Sequence, residues 1–593
     1  MYEKASDAEG KHTNISTWHY DSLGRVTRAV CDGKSYEYIY DAYGNLKEKR
    51  SNGKRLVSYT HDRAGQITEI MDPAGVSTRY EYDILGRRSR IYNNDGLEVR
   101  YGYDALNRIR HIRYGNGVET AYTYDGDGNI RTLETKAGEN VLLSFAYQYD
   151  GNGNRTAKTG MQAALGGITA GNNALDISYN YDVRGQLLEE RRNGASVCYA
   201  YDKAGNRIRK TDVQGEIRYL YNAKNQLIAE ESPADRKQFS YDRQGGIIEE
   251  KNAAGIRLFS YNSRHQQTRV ETETGSVQEN RYDAEGLRFE LLENGRRTSF
   301  VYHDGELLQE EGREEQKTSY HLGAGMEAFR RGQELSYYHR DEQLSTVFVT
   351  DGHRNVQNSY QYDAFGMSLG TTEKLNNRIR YTGQQYDELT EQYYLRARYY
   401  NPVAGRFMQE DVYQGDGLNL YAYCGNNPVV YDDSSGYARK ACPPKGKISE
   451  SVDESGSSSG KVWDYAKQFD GELSNFNDGY EIKNVIDEDL CLVQFHSNAE
   501  VGNGRSLKYW TTFDEANGIS TVDDYMNKMA LLSNWGARDN VSIAKIPAGT
   551  KIKYAIGTAK EQVGAIESRP GGGLQILFEQ FDDGWVLDTR PLS

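Results

Sequence analysis

Along most of the chain, aromatic and β-branched residues alternate with charged and polar ones in short runs separated by Gly, Asn and Asp. Ser35 to Tyr40 (SYEYIY) is one such run, and its period of two predicts a strand. Asp41 to Asn45 predicts a turn, because an Asp side chain bonds its own backbone and Gly44 permits positive φ. Leu46 to Arg50 predicts the returning strand, and Ser51-Asn52-Gly53-Lys54 a second turn with an Asn-Gly hairpin signal. A unit of two strands and two turns cannot bury its apolar face alone, so stacked units are expected to form one continuous sheet. Tyr alternating with Glu, Lys and Arg suits a sheet with one wet face.

The unit recurs. Tyr20-Asp21, Tyr40-Asp41, His61-Asp62, Tyr82-Asp83, Tyr103-Asp104 and Tyr124-Asp125 are followed by Tyr149-Asp150, Tyr181-Asp182, Tyr201-Asp202, Tyr221-Asn222, Tyr241-Asp242, Tyr261-Asn262 and Tyr282-Asp283. The usual spacing is 20 or 21 residues, with an insertion such as Met161 to Asn173 in the longer gaps. Propeller blades need roughly 40–50 residues, so this period argues against a propeller.

Composition adds exclusions. The 593 residues include 48 Tyr and 61 Gly against 9 Pro. No run of about 18 apolar residues is present, so no membrane-spanning helix is expected; mean hydropathy is -0.82. The N-terminal Met1-Tyr2-Glu3-Lys4 has no apolar segment of the secretory type, so no signal peptide is expected in this chain. A net charge of -14 argues against a generic nucleic-acid binder. The five cysteines lie far apart without a CxxC pair, suggesting neither a zinc site nor a disulfide framework.

The repeat resembles the YD repeats of RHS and teneurin-type proteins, and the resemblance implies a spiralling sheet closed into a hollow shell around a cargo polypeptide. From Tyr337 the period breaks. Tyr338-His339-Arg340-Asp341, Tyr362-Asp363-Ala364-Phe365-Gly366, Arg396-Ala397-Arg398-Tyr399-Tyr400-Asn401-Pro402, Gly405-Arg406-Phe407 and Gly425-Asn426-Asn427-Pro428 follow. This stretch resembles the RHS repeat-associated core. The resemblance implies self-cleavage after Asp433-Ser434-Ser435-Gly436-Tyr437, at the Tyr437–Ala438 bond, with Asp411 and Asp433 as the acidic pair and Arg406 orienting a carboxylate. Of two close carboxylates, one would act as base on a water and the other, protonated, would polarise the carbonyl. Val412 and Ser434 stand where the family usually has proline, and Asp432 adds a carboxylate. Read from residue types alone, the aspartates are turn residues in a Gly/Asn-rich loop.

After Tyr437 the pattern stops. Glu450 to Gly460 is an acidic Ser/Gly linker. Beyond it an α+β domain is expected, with a helix at Asp523 to Leu532 and strands at Val541 to Ile546, Lys551 to Ile556, Leu574 to Glu579 and Trp585 to Asp588. His496 is the one histidine after Tyr437, which argues against a His-clustered metal site, and Cys442 and Cys491 do not supply a deaminase signature. Two features remain: Arg505 with Tyr509 and Trp510, and the glycine loop Gly571-Gly572-Gly573 leading to Gln575. Glycines let a backbone approach a phosphate, an Arg clamps a diphosphate, and an aromatic ring stacks on a nicotinamide. Lys553 to Ile576 resembles the end of TNT-type NAD-glycohydrolase toxins. That implies NAD as substrate without a metal, Gln575 as the functional glutamine and Arg505 as the NAD-binding arginine. ADP-ribosyltransferase toxins share the general NAD-binding fold. On residue types, the glycines also read as a hairpin loop and Arg505 as a surface cation beside Trp510.

The expectation is therefore a mostly β chain with a YD-repeat shell over residues 1–336, a self-cleaving core over 337–437, a linker over 438–461 and an enclosed α+β effector over 462–593. Such a protein would be a secreted or cell-surface toxin whose freed effector consumes NAD inside a target cell. Its partners would be a cognate immunity protein and a delivery machinery or upstream N-terminal region. ADP-ribosyl transfer and a metal-free RNase using Arg505, His496 and Lys508 are alternatives, as is a surface adhesion protein whose repeats are the binding surface.

Overall fold

The structure is a computed structural model. It describes residues 2–6, 12–163, 174–312, 316–412 and 419–441, then 462–464, 469, 473–477, 480–486, 490–496, 509–512, 540–546, 550–560, 562–563, 568–569, 574–582 and 586–591. The chain divides into two compact units, one of residues 1–80, 91–100 and 111–445, the other of residues 81–90, 101–110 and 446–593. No helix among the described residues is long and apolar enough to cross a membrane.

A single sheet of 35 strands runs from Tyr2–Ser6 to Ser368–Glu373. Consecutive strands pair antiparallel, as Val26–Cys31 with Lys34–Tyr40 and that strand with Leu46–Ser51. The Asn-Gly turn behaves as its sequence predicts: Asn52 and Gly53 have φ of 50° and 73°, the two left-handed residues of a two-residue hairpin. At the other turn, Asp41 Oδ1 accepts the N–H groups of Tyr43 and Asn45, both at 2.9 Å. The Gly44 N–H closes the turn onto the Asp41 carbonyl at 3.2 Å. Asn222 builds the same turn without a charge, accepting from Lys224 and Gln226.

The tyrosine of most Tyr-Asp and Tyr-Asn pairs has a separate task. Its hydroxyl donates to the carbonyl that begins the preceding strand: Tyr40 to Val26 at 2.8 Å, Tyr201 to Leu187 at 2.9 Å, Tyr221 to Arg207 at 2.8 Å and Tyr261 to Ile247 at 2.9 Å. Phenylalanine would supply the ring but not this bond, so the bond accounts for a repeat built on tyrosine.

The sheet winds back on itself. Tyr36 donates to Asp283, Lys49 pairs with Glu285, and Thr78 bonds His321. These partners lie 236 to 247 residues apart in sequence. The sheet also continues beyond Tyr337, where the sequence period breaks. Thr346–Asp351, Val356–Tyr362 and Ser368–Glu373 still pair in order, and Tyr362 donates to Thr346 in the usual way.

After Glu373 the chain turns inward on the same unit. Gln385–Asp387, Gln392–Leu395, Arg398–Asn401 and Arg406–Phe407 form a second, four-stranded sheet. Tyr381, Tyr393, Tyr400 and Tyr423 are buried in its core with Phe407. Asp387 is fully buried against the equally buried Arg288 of the large sheet, which fixes the small sheet in place.

In the second unit a seven-stranded sheet has the order Glu481–Val485, Lys551–Thr558, Leu574–Phe578, Tyr509–Thr512, Leu490–His496, Asn540–Ile546, Val586–Pro591. The four strands expected from sequence are among them. The named elements described here are strands and one 3-10 turn, Leu473–Asn475. The helix expected at Asp523 to Leu532 lies outside the described residues, and Phe469 is described as helical.

Two outcomes follow from these contacts. Tyr261→Phe should cost about 1 kcal/mol, read as faster amide hydrogen exchange in the Ile247–Tyr261 hairpin with the distant Lys34–Ser51 hairpin unchanged. The second concerns His321, whose imidazole is pushed down to about 3, first by burial and then by the Arg330 charge. Below pH 6.5 the unfolded chain takes up a proton there that the folded chain refuses, so this residue removes stability as pH falls. His321→Gln should therefore lose roughly 2 kcal/mol less than the parent between pH 7 and pH 5, measured by urea unfolding at the two pH values. Other titrating groups are common to both proteins and cancel in this difference.

Candidate functional site

The small sheet presents a hairpin tip, Leu395 to Arg398, to the segment Asp433 to Tyr437. Strand Gln392–Leu395 turns through Arg396 and Ala397 into Arg398–Asn401, with Arg396 at a φ of 61°. Three donors on this tip meet three successive carbonyls. Arg396 Nη1 donates to Ser434, the Ala397 N–H to Ser435 at 3.3 Å, and Arg398 Nε to Gly436. Gly436, at a φ of 72°, lies so close that an added Cβ would stand 2.4 Å from the Leu395 carbonyl oxygen. Glycine is required here by both its backbone and its neighbours.

Arg398 is the centre of the arrangement. Its Nη2 is 2.7 Å from Asp411 Oδ2 and 3.5 Å from Asp433 Oδ2, and all three side chains are buried. Nη1 donates to the Leu420 carbonyl at 3.0 Å, and the Asp411 N–H donates to the same carbonyl at 3.1 Å. The guanidinium lies over the Phe407 ring, 3.6 Å from its centroid. The other oxygen of Asp433 accepts from the Gly436 N–H at 2.8 Å, the Ser435 N–H at 3.2 Å and the Ser435 hydroxyl at 3.1 Å. Asp433 is thus both the turn-builder expected from residue type and a member of the acidic pair. The neighbouring Asp432 carboxyl is pushed up to about 6, first by burial and then by the charge of Asp433.

Structure and sequence differ over the arginine. Arg406, expected to orient a carboxylate, donates to the Asn225 carbonyl at 2.7 Å and stacks between Tyr221 and Tyr421. The reason is strand register. Tyr400 pairs with Phe407 and Asn401 with Arg406, so Arg398 and Phe407 share one face while Arg406 points to the other. The sequence signal for Arg398 was its place two residues before Tyr400 on the Phe407 face, which becomes legible only once the pairing is known.

Of the residues expected to act in the second unit, Trp510 and Gln575 have described side chains. Arg505 and Gly571 to Gly573 lie outside the described residues, as does the side chain of Tyr509. Trp510 is 1% exposed and packs in the core with Ile486, Leu492 and Ile576, so its ring has no open face for a nicotinamide. Gln575 is buried in strand Leu574–Phe578 opposite Gly557, beside Thr511, whose hydroxyl donates to the Leu574 carbonyl at 2.6 Å.

Comparison with known proteins bears on this architecture. Residues 161–429 match the Teneurin YD-shell family model, and residues 61–98 and 103–141 the RHS Repeat model. The tRNA3(Ser)-specific nuclease WapA of Bacillus spizizenii is 37% identical over 177 residues, 26% of this chain and 7% of its own. The Double-stranded DNA deaminase toxin A of Burkholderia cenocepacia is 30% identical over 302 residues, 49% of this chain and 17% of its own. The chain thus spans a small part of the length of these relatives. The crystal structure of TcdB2-TccC3-Cdc42 superposes over 74% of this chain and 27% of that one, with a TM-score of 0.59 at 17% identity, a likeness of fold. The wound tyrosine–aspartate sheet, the inward-turned core and the two family matches agree: the chain belongs to the RHS/YD-repeat family.

Proposed function

We propose that this chain is the shell, core and effector part of a toxin that cleaves itself at Tyr437–Ala438 and so frees its C-terminal region. The observation that carries the reading is Arg398, which holds Asp411 and Asp433 on one nitrogen while its Nε fixes the Gly436 carbonyl, one residue before the scissile bond. Two carboxylates and a clamped backbone are the parts of a water-activating amide hydrolase. One carboxylate takes a proton from water, whose oxygen adds to the Tyr437 carbonyl carbon. The C–N bond then breaks as the protonated carboxyl returns that proton to the Ala438 nitrogen, which leaves as an amine. Arg398, paired with both carboxylates, keeps the two side chains in place.

Residues 438–593 are the cargo in this reading, with a cognate immunity protein protecting the producer and a delivery system carrying the toxin out of it. For the freed domain we retain NAD hydrolysis as the first reading, supported by the resemblance of Lys553 to Ile576, a segment that includes Gln575. Cleavage of RNA is the second, favoured by the name of the WapA relative, a tRNA nuclease. Trp510 has no part in either, being buried.

The purified protein should run on a denaturing gel as a 1–437 piece and a 438–593 piece. Asp433→Asn, Asp411→Asn and Arg398→Gln should each leave one chain, with cleavage slowed at least about 100-fold, whereas Arg406→Gln should still cut. Parent protein that stays whole under every condition sinks the self-cleavage reading. Expression of residues 438–593 in bacteria separates the effector readings. NAD hydrolysis predicts collapse of cellular NAD with intact tRNA, reversed by Gln575→Ala. Cleaved tRNA with normal NAD would replace it with the nuclease.

A further inference from the structure

Arg396 has two more partners than the cleavage segment explains. Besides the Ser434 carbonyl, its Nε donates to the Gly305 carbonyl at 2.7 Å and its Nη2 pairs with the Glu306 carboxylate. Gly305 and Glu306 belong to the large sheet, in the turn between strands Arg296–His303 and Glu306–Glu311. One guanidinium, whose five donors lie in a fixed plane, thus bridges a repeat hairpin to the residue after Asp433. Its three partners are 38, 90 and 91 residues away in sequence, so they meet it only in the folded unit.

Two further details fit a built contact. Arg396 sits at a φ of 61°, where side chains other than Gly, Asn and Asp are uncommon, and the chain keeps a long cation there. Gly305, at a φ of 77°, leaves room for it: an added Cβ would lie 3.0 Å from Arg396 Nε. Glu306 is half exposed, so the ion pair alone contributes little to stability. Its position contributes something else, since it sets the direction of the guanidinium that grips Ser434.

We infer that Arg396, held by Gly305 and Glu306, is a positioning residue that makes hydrolysis of the Tyr437–Ala438 bond conditional on docking of the Arg296–Glu311 hairpin against the core. The inference rests on the self-cleavage reading and adds a condition to it. In a chain whose hairpin has not closed, Arg396 lacks two of its three partners and the Ser434 carbonyl lacks its fixed donor. The acidic pair then faces a segment that wanders, and water is not delivered to the Tyr437 carbonyl. Release of the cargo is thereby tied to completion of the sheet.

The test uses the full-length chain, refolded from denaturant and sampled on denaturing gels, with thermal unfolding of each protein in parallel. Arg396→Gln should slow cleavage about 100-fold, the order expected from a misplacement near 1 Å, and Arg396→Lys should recover part of it. Glu306→Gln and Gly305→Ala should each slow it about 5-fold to 20-fold. Adding Glu306→Gln to Arg396→Gln should slow it no further, because both act through one contact. Arg113→Gln, which breaks an exposed ion pair with Glu119 elsewhere on the sheet, should cut at the parent rate. If Arg396→Gln fails to fold, Glu306→Gln decides: cleavage at the parent rate rejects the latch. Additive losses in the double variant also reject it. A parent chain that never cuts removes the self-cleavage reading and the latch with it, whereas a parent and Arg396→Gln that cut equally fast remove the latch alone.

Discussion

The whole of the large sheet depends on a two-residue joint. A tyrosine hydroxyl ties the end of one strand to the start of the strand before it, and the next residue, an Asp or Asn, folds its side chain back on the turn that starts the strand after. Neither half suffices alone. Without the hydroxyl the open end of each hairpin is held only by ladder bonds, and without the carboxyl or amide the turn loses two acceptor contacts. Each bond is worth about 1 kcal/mol, and repetition makes it the dominant specification of the fold. Arginine adds to the joint in places: Arg25 pairs with Asp21 and lies 4.5 Å over the Tyr40 ring of the next repeat.

This is why the shell was legible and the site only partly so. A joint repeated every 20 residues announces itself in sequence, and period-two alternation places its strands. Asp411 and Asp433 were legible through the core resemblance, and Asp433 also through turn chemistry. Arg398 was not, because three arginines stand within eleven residues and only the pairing of Tyr400 with Phe407 tells which one faces the carboxylates. A shift of one residue in that register would have put Arg406 on the face of Arg398 and Phe407 on the other.

The second unit resisted for a different reason. Its strands are found where alternation put them, but alternation does not distinguish a buried aromatic from one that lines a site. Trp510 stands two residues from Thr512 on a strand with neighbours on both sides, and its ring fills the core. Composition and a short glycine loop suggested chemistry there.

The winding of the sheet has a consequence for how such chains change length. Asp72 is paired with Ser319, Thr78 with His321 and Lys49 with Glu285, each across nearly the same number of residues. A turn that grows leaves this correspondence intact, because the strand count between partners is preserved. A gained or lost hairpin does not, since every later strand then meets a neighbour one place out of step. The repeat is permissive one copy at a time, yet the number of copies in a full circuit is fixed like the teeth of a gear. Duplication in this lineage is therefore expected to alter loops freely and circuits only by whole, re-matched sets.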